Sequence, residues 1–256
     1  MSPSIWTRCG ERFRPQRVSG EPWRAVEAQH VNSTRKLVDS DDEQEALERL
    51  IDGVKPPWPP GAGFDGLHYL LATPFRHPPL RYGSRFGTRQ ERGVYYCARA
   101  QRTVFAEKAY YVLLFLEGTT ADIELLTRPL TVFQARISTR KGLDLTRAPF
   151  SAHERAISSP TTYADTQPLG TAMRGAGVQS FVFRSARDPE GGANIGLFEP
   201  VFTAKKKQPA NAERWVCTAT RDRVELKPGP TVARARLGFA RDTFLVDGVL
   251  PAPGVG

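Results

Sequence analysis

The residues best suited to chemistry begin with a group of arginines in the segment Thr73–Arg89, which is rich in proline and glycine. The group has four members: Arg76, Arg81, Arg85 and Arg89. Glycine and proline set backbone angles that other residues resist, so they can turn several arginine side chains toward one point. Because a guanidinium group binds phosphate oxygens in pairs, the segment predicts an anion-binding loop.

One carboxylate follows in a run that is otherwise almost entirely apolar. Glu107 lies within the run Val104–Leu116. Helical spacing places it on one face with Val104, Tyr111 and Leu114. A carboxylate on an apolar surface is rare unless it is paired or functional. The sequence leaves two interpretations open, a functional group in a cleft or the partner of a nearby arginine.

A single carboxylate beside several arginines restricts the reactions that the chain could catalyse. Most glycosidases need two carboxylates, because the leaving oxygen has to be protonated. The nicotinamide of NAD+ already carries positive charge and leaves as a neutral ring, so its departure needs no acid. One carboxylate can stabilise the positive ribose that remains, and Tyr95 or Tyr96 offers an aromatic face for a flat ring. From the residues alone we expect an anion-binding cleft with a carboxylate, which suits nicotinamide–ribose cleavage better than glycoside hydrolysis.

Several elements have to position these side chains. Gly93–Ala98 is short, β-branched and aromatic, which predicts a buried strand. Thr103 favours a helix N-cap, and Val104–Leu116 predicts the helix that follows it. Farther along the chain, Val178–Ser185 and Asn194–Phe202 predict the two arms of a hairpin.

The rest of the chain mixes helices and strands in no regular order. Residues 40–43 predict a capping box that begins a short helix, and Gly53 ends that helix. Tyr163–Arg174 predicts a helix interrupted by its proline. Strands are predicted at Leu130–Ile137 and, two or three of them, between residues 213 and 250. This order predicts an α+β fold and not a doubly wound sheet.

The composition is that of an ordinary globular protein. The chain has 256 residues, of which 40% are hydrophobic and 25% charged, and no apolar run approaches the ~18 residues of a membrane span. Three widely separated cysteines and the lack of a secretory signal predict a cytoplasmic location. The four histidines show no ligand spacing with one another or with cysteine, so we expect no metal.

The net charge of +9 is compatible with an anionic small ligand, an acidic protein partner or a nucleic acid. A basic module that binds nucleic acid without catalysis is therefore an alternative from a different class. The sequence contains no recognisable nucleic-acid-binding motif, and such a module would leave Glu107 without a role. We therefore do not expect direct binding of nucleic acid.

Taken together, these residues resemble the RES-domain family, toxins of bacterial toxin–antitoxin pairs named for an arginine, a glutamate and a serine. The similarity extends from about Leu67 to Phe202. It depends on motifs that follow one another in this order: Phe75-Arg76, Gly83-Ser84-Arg85-Phe86-Gly87, Gly93-Val94-Tyr95-Tyr96-Cys97-Ala98, Thr103-Val104-Phe105-Ala106-Glu107, Phe183-Arg184-Ser185-Ala186-Arg187-Asp188 and Gly192-Ala193-Asn194. The resemblance implies an ADP-ribosyltransferase-like fold, a mixed β-sheet core with flanking helices.

The resemblance also implies that NAD+ is the substrate and that no metal takes part. The catalytic residues that it implies are Glu107, Arg76 and Ser185. The NAD+-binding residues that it implies are Arg76, His77, Arg85, Tyr96 and Ser185. Among them, Arg76 and Arg85 would hold the phosphates and Tyr96 would flank the nicotinamide. Some members place the serine where this chain has Ala164, so the identity of the functional serine stays open.

Three acceptors for the ADP-ribose remain open: water, inorganic phosphate, or a protein, the last of which would make the chain a mono-ADP-ribosyltransferase. The resemblance implies a cognate antitoxin with an Xre-type helix-turn-helix domain as the partner and no membrane association. In this interpretation residues 1–66 form an N-terminal extension with one short helix and a proline-rich connector. Residues 67–205 form the RES domain, and residues 206–256 add C-terminal strands to it.

Overall fold

The computed structural model describes residues 3–10, 13–28, 39–59, 61, 63–79, 81–203 and 207–253. The helices are α1 (Ile5–Cys9), α2 (Asp41–Gly53), α3 (Tyr69–Arg76), α4 (Gln101–Gly118), α5 (Glu154–Ile157) and α6 (Thr166–Gly175). The strands are β1 (Gln16–Gly20), β2 (Trp23–Glu27), β3 (Tyr95–Ala98), β4 (Leu126–Gln134), β5 (Ile137–Asp144), β6 (Ser180–Arg184), β7 (Ala193–Leu197), β8 (Ala210–Ala219), β9 (Arg223–Pro228) and β10 (Leu237–Ala240). Short 3-10 helices lie at Phe150–His153 and Arg241–Phe244.

Within these residues the ten strands form one mixed sheet, in the order β1-β5-β6-β7-β3-β2-β4-β8-β9-β10. Strands β5 and β6 are parallel, and the other neighbouring strands are antiparallel. With helices flanking this sheet, the predicted α+β fold with a mixed sheet is confirmed. Among the described residues, no helix combines the length and the apolar character that a membrane crossing requires.

Helix α4 is the central helix packed on the sheet. Phe105 and Tyr110 are fully buried, and the ring centroid of Phe105 lies 4.6 Å from that of Trp215 on β8. One stripe of the helix is left out of this packing. It contains Glu107, which is partly buried, and Tyr111, which is 53% exposed. The prediction that a carboxylate shares a helix face with Tyr111 is therefore confirmed, and this face lies beside the packed one.

Strand β2 occupies the middle of the sheet although it lies near the start of the chain. It pairs with β4 over five positions, from Trp23 opposite Gln134 to Glu27 opposite Leu130. Its pairing with β3 consists of a single position, Trp23 opposite Ala98. The two strands separate beyond Trp23, which leaves a gap between β2 and β3.

The N-terminal region contains more regular structure than the sequence predicted. The helix that begins with a capping box is confirmed as α2, with the Glu43 N–H donating to Ser40 Oγ at 3.2 Å and the Ser40 N–H donating to Glu43 Oε2 at 3.3 Å. Strands β1 and β2 were not predicted. They pair with β5 and β4, which are distant in sequence, so no local turn signal reveals them.

The hairpin predicted around Ser185 is confirmed, because β6 and β7 pair antiparallel on either side of it. The strands predicted in the C-terminal region are also confirmed, as β8, β9 and β10. The strand predicted at Leu130–Ile137 is confirmed from Leu130 to Gln134, which form the end of β4. Its continuation to Ile137 is wrong, because β4 ends at Gln134 and β5 begins at Ile137.

Two predictions about helix ends are wrong. Helix α4 begins at Gln101 with Ala100 at its N-cap, whereas Thr103 is buried and donates from its hydroxyl to Asp188 at 2.7 Å. Helix α6 begins at Thr166 and is not interrupted. Its proline lies in the first turn, where the missing N–H removes no hydrogen bond within the helix.

Helix α6 packs closely against the loop of residues 82–87. Gly170 faces the backbone of Phe86, and a Cβ atom at this position would overlap the Phe86 carbonyl oxygen. Gln167 donates from Nε2 to the carbonyl oxygen of Tyr82 at 2.7 Å. The helix therefore fixes the position of this loop through backbone contacts.

We expect Gly170→Ala to destabilise the protein by about 1–3 kcal/mol, because the added methyl group has to displace the backbone of Phe86. Gly175→Ala is the matched control in the same helix. The space beside Gly175 is open, so alanine there should be neutral or slightly stabilising. Urea unfolding of both variants measures the difference. Equal stabilities would contradict the tight contact at Gly170.

Candidate active site

A cavity of about 300 Å³ lies beside helix α4, strand β3 and the loop that precedes β3. The charged side chains that line it are four cations and one carboxylate: Arg24, Arg85, Lys108, Arg187 and Glu107. Its aromatic lining consists of Tyr96, Tyr111, Tyr163 and Phe183. A concave site with aromatic walls and a few convergent charges is the usual location for a small ligand.

Glu107 reaches this cavity from the stripe of α4 that is not packed on the sheet. Its Oε1 accepts two hydrogen bonds, from Ser185 Oγ at 2.7 Å and from Asn194 Nδ2 at 2.6 Å. Both donors belong to the β6–β7 hairpin, and both are neutral. Among the described residues no arginine forms an ion pair with Glu107, which speaks against the interpretation of Glu107 as the partner of a nearby arginine.

Ser185 holds Glu107 and is itself held by the hairpin backbone. Its hydroxyl oxygen accepts hydrogen bonds from the N–H groups of Arg187 at 3.1 Å and Asp188 at 3.0 Å, which leaves its proton for the carboxylate. The Asp188 carboxylate accepts a hydrogen bond from Thr103, so the hairpin is tied to α4 a second time. This network fixes the orientation of Glu107.

Arg85 enters the cavity from a tight turn in which the Ser84 N–H donates to the Gly87 carbonyl oxygen at 2.7 Å. The side chain is almost completely buried. Its Nη1 donates to the carbonyl oxygen of Ser159 at 2.7 Å, and its guanidinium carbon lies 5.0 Å from the centre of the Tyr163 ring. Because these partners are neutral, the positive charge of Arg85 remains available to an anion.

Tyr96 lines the cavity with its ring and anchors the Arg85 turn with its hydroxyl group. The hydroxyl oxygen accepts a hydrogen bond from the Phe86 N–H at 3.1 Å and lies 3.1 Å from Ser84 Oγ. Burial raises the pKa of Tyr96 to about 12, outweighing the Ser84 hydrogen bond, which lowers it. The hydroxyl group therefore stays neutral and serves as a fixed point for the turn.

Arg187 and Asn194 also line the cavity, although neither was predicted as a site residue. The guanidinium carbon of Arg187 lies 3.6 Å from the centre of the Tyr110 ring, and its Nη2 donates to the Pro160 carbonyl oxygen at 2.8 Å. Asn194 supplies the second donor to Glu107. Both residues are part of the motifs on which the family resemblance depends, so a sequence signal for them was present.

Arg24 is the residue that no sequence signal indicated. It lies on β2, and its Nη1 donates to the carbonyl oxygen of Tyr96. Its guanidinium carbon lies 4.5 Å from the centre of the Tyr95 ring. The long-range pairing of β2 with β4 brings this arginine to the cavity, and that pairing cannot be inferred from neighbouring residues.

Arg76 and His77 lie at the end of α3 and do not line the cavity. Two groups of the proline-rich connector hold Arg76 elsewhere. Its guanidinium carbon lies 4.5 Å from the centre of the Trp58 ring, and its Nε donates to the Pro56 carbonyl oxygen. His77 is exposed beside a separate surface depression. Ala164 is likewise exposed and outside the cavity lining.

The cavity carries an excess of positive charge. Lys108 is neutralised by Glu27 at 2.9 Å, and this hydrogen bond lowers the pKa of the Glu27 carboxyl group. For Arg24, Arg85 and Arg187, no carboxylate of the described residues lies within ion-pair distance. A buried cation without a counter-charge is costly, so the site favours a ligand with more than one negative charge.

Comparison with known proteins identifies the family. The RES-domain family model matches residues 59–219. No functionally curated protein matches the sequence. Among solved structures, a chain from the crystal structure of the M. tuberculosis MbcT–MbcA toxin–antitoxin complex is similar, with 12% identity and a TM-score of 0.42 over 93% of each chain. Because the family model matches more than half of this sequence, the chain belongs to the RES-domain family.

Proposed function

We propose that this chain is the toxin of a bacterial toxin–antitoxin pair and that it breaks the nicotinamide–ribose bond of NAD+. One observation carries the proposal. The Glu107 carboxylate, held by Ser185 and Asn194, opens into a cavity whose arginines lack acidic partners among the described residues. Membership of the RES-domain family supports it, since the resemblance implies consumption of NAD+.

The charges and rings of the cavity suit a dinucleotide. Its pyrophosphate matches the guanidinium groups of Arg85 and Arg187, which donate to the neighbouring carbonyl groups of Ser159 and Pro160. The nicotinamide ring matches the aromatic surface that includes Tyr96. Because carbonyl groups and rings hold the arginines in place, the arginines are preorganised without losing their charge.

Glu107 suits the bond-breaking step. As the bond between the ribose C1′ and the nicotinamide nitrogen breaks, its electron pair moves to the ring, which becomes neutral. Positive charge then develops on the ribose. Ser185 and Asn194 both bind Oε1, so Oε2 is the oxygen available to this charge. A nucleophile then adds to C1′, and the new bond replaces the one to nicotinamide and removes the positive charge from the ribose.

The nucleophile is water, inorganic phosphate or a protein side chain, and each gives a different product. Purified protein incubated with NAD+, with and without phosphate, should release nicotinamide in at least one condition. Free ADP-ribose identifies hydrolysis, and its phosphorylated form identifies phosphorolysis. Labelled NAD+ in cell lysate that leaves label on a protein identifies transfer. Absence of nicotinamide release in all of these conditions, with antitoxin shown to be absent, would refute the proposal.

The proposal includes a cognate antitoxin with an Xre-type helix-turn-helix domain, which the family resemblance implies. We expect expression of the chain alone to arrest growth and co-expression with the product of the adjacent gene to restore it. Size-exclusion chromatography of the co-expressed proteins should then show a complex. A chain that is harmless alone and elutes as a monomer beside that product would count against the pairing.

We expect Glu107→Gln to reduce turnover of NAD+ by about 10²–10⁴-fold, the effect of losing one aligned charge in the transition state. The dissociation constant for NAD+ should change little, because glutamine keeps the shape of the side chain. Glu117→Gln, at the exposed end of the same helix, is the matched control and should keep full activity. Full turnover in a folded Glu107→Gln protein would show that the assignment is wrong.

Ser185 should act through Glu107, so its effect should vanish when the carboxylate is absent. We expect Ser185→Ala alone to lower kcat about 10-fold, the scale of one lost hydrogen bond to a charged group. In the Glu107→Gln background the same substitution should have almost no further effect on kcat. Additive losses in the double variant would indicate that Ser185 contacts the substrate independently.

A further inference from the structure

A second basic depression lies outside the cavity, at the end of the β6–β7 hairpin that is opposite to Ser185 and Asn194. Its volume is about 350 Å³. It lies where the end of α6, the loop before β3, strand β5 and the hairpin meet. The charged side chains that line it are three cations and one carboxylate: Arg92, Lys141, Arg174 and Glu199. None of these four residues lines the cavity beside Glu107.

Arg174 extends from the last turn of α6 and is held in the depression by two neutral contacts. Its guanidinium carbon lies 4.0 Å from the centre of the Phe198 ring, and its Nη2 donates to the Arg92 carbonyl oxygen at 2.7 Å. Its Nε is buried and makes no hydrogen bond to the described residues. Burial also lowers the pKa of Arg174. A buried donor without an acceptor is costly, so this position suits an acceptor that comes from a ligand.

The depression has an excess of positive charge. Glu199 neutralises Arg92, whose Nη1 lies 3.3 Å from Glu199 Oε2. Neither Lys141 nor Arg174 has a carboxylate of the described residues within ion-pair distance. The two remaining positive charges match a phosphate group, which carries close to two negative charges at neutral pH.

The donors of the depression also suit a phosphate group. A guanidinium group that is fixed by a ring and a carbonyl group can offer paired donors to phosphate oxygens, and Lys141 adds a point charge. The side-chain oxygen of Gln179 accepts a hydrogen bond from the Thr139 hydroxyl group at 2.6 Å. The amide N–H groups of Gln179 therefore remain available for an anion at the same place.

We propose that this depression is a second anion-binding site, which binds the phosphate group of a small molecule through Arg174, Lys141 and Gln179. The site is separate from the cavity, and it does not depend on the reaction assigned to Glu107. Arg174 already connects α6 to the loop before β3 through the Arg92 carbonyl group. The ligand therefore binds at the junction of these two elements.

Nitrogen-15 NMR of the whole chain, titrated with inorganic phosphate, tests the proposal at the level of single residues. We expect the backbone amide signals of Gly177 and Gln179 to shift and to saturate. The Nε–H signal of Arg174 should shift as well, because this donor gains an acceptor. The amide signal of Tyr96 reports separately on the cavity. A parallel titration with glycerol 3-phosphate distinguishes the two sources of the phosphate group, since the tighter ligand identifies free phosphate or a phosphorylated metabolite.

Arg174→Gln removes the charge and the buried Nε donor. We expect phosphate to bind at least 10-fold more weakly, the effect of losing a charge-assisted contact. Arg140→Gln is the matched control. It removes the same charge from an exposed position of β5 that does not line the depression, so the affinity should stay unchanged.

Lys141→Gln is the second variant, and it decides the matter if Arg174→Gln does not fold. Lys141 is exposed, so its loss should weaken phosphate binding only about 3-fold. Signals of Gly177 and Gln179 that do not respond to either ligand in the wild-type protein would overturn the proposal. Unchanged affinity in a folded Arg174→Gln protein would also overturn it, as would unchanged affinity in Lys141→Gln where the Arg174 variant is unfolded.

Discussion

The two hydrogen bonds that Glu107 accepts are the constraint on which the site depends. A helix packed into an apolar core can carry a carboxylate only where polar groups meet it. Here the β6–β7 hairpin provides both donors, and its backbone N–H groups hold Ser185 in turn. Thr103 on the helix and Asp188 on the hairpin add a second connection. Apolar packing sets the distance between α4 and the sheet. These polar contacts fix the position of α4 relative to the β6–β7 hairpin.

The cavity brings together three arginines that have no acidic partner among the described residues. Several arginines elsewhere in the described chain pair with carboxylates, as Arg241 does with Glu117 at 2.9 Å and Arg234 with Glu213 at 3.0 Å. The cavity arginines are held instead by carbonyl oxygens and aromatic rings. Those partners fix the direction of each side chain without cancelling its charge. The positive electrostatic potential of the cavity therefore remains available to a ligand.

The sequence motifs predicted those cavity residues whose positions depend on structure close to them in the chain. Arg85 and Tyr96 belong to a turn and to the strand that follows it, and a hydrogen bond between these two elements keeps them together. Glu107 follows from helical spacing. Arg24 could not be predicted, because its place depends on the pairing of β2 with a strand far along the chain. Arg76 matched a motif, yet the ring of Trp58 holds it away from the cavity, and no sequence pattern indicated that contact.

The position of β2 also determines when the site can form. This strand is synthesised before both of its neighbours, β3 and β4, and has no partner until they have left the ribosome. The ring of Tyr110 supports Arg187 and is itself fixed by a hydrogen bond from its hydroxyl group to the Pro251 carbonyl oxygen at 2.6 Å. The position of Arg187 in the cavity therefore depends on a residue that is synthesised later still. Contacts so distant in sequence form late in folding. A nascent chain therefore has no finished cavity, and the cavity is complete only once the segment around Pro251 has been made.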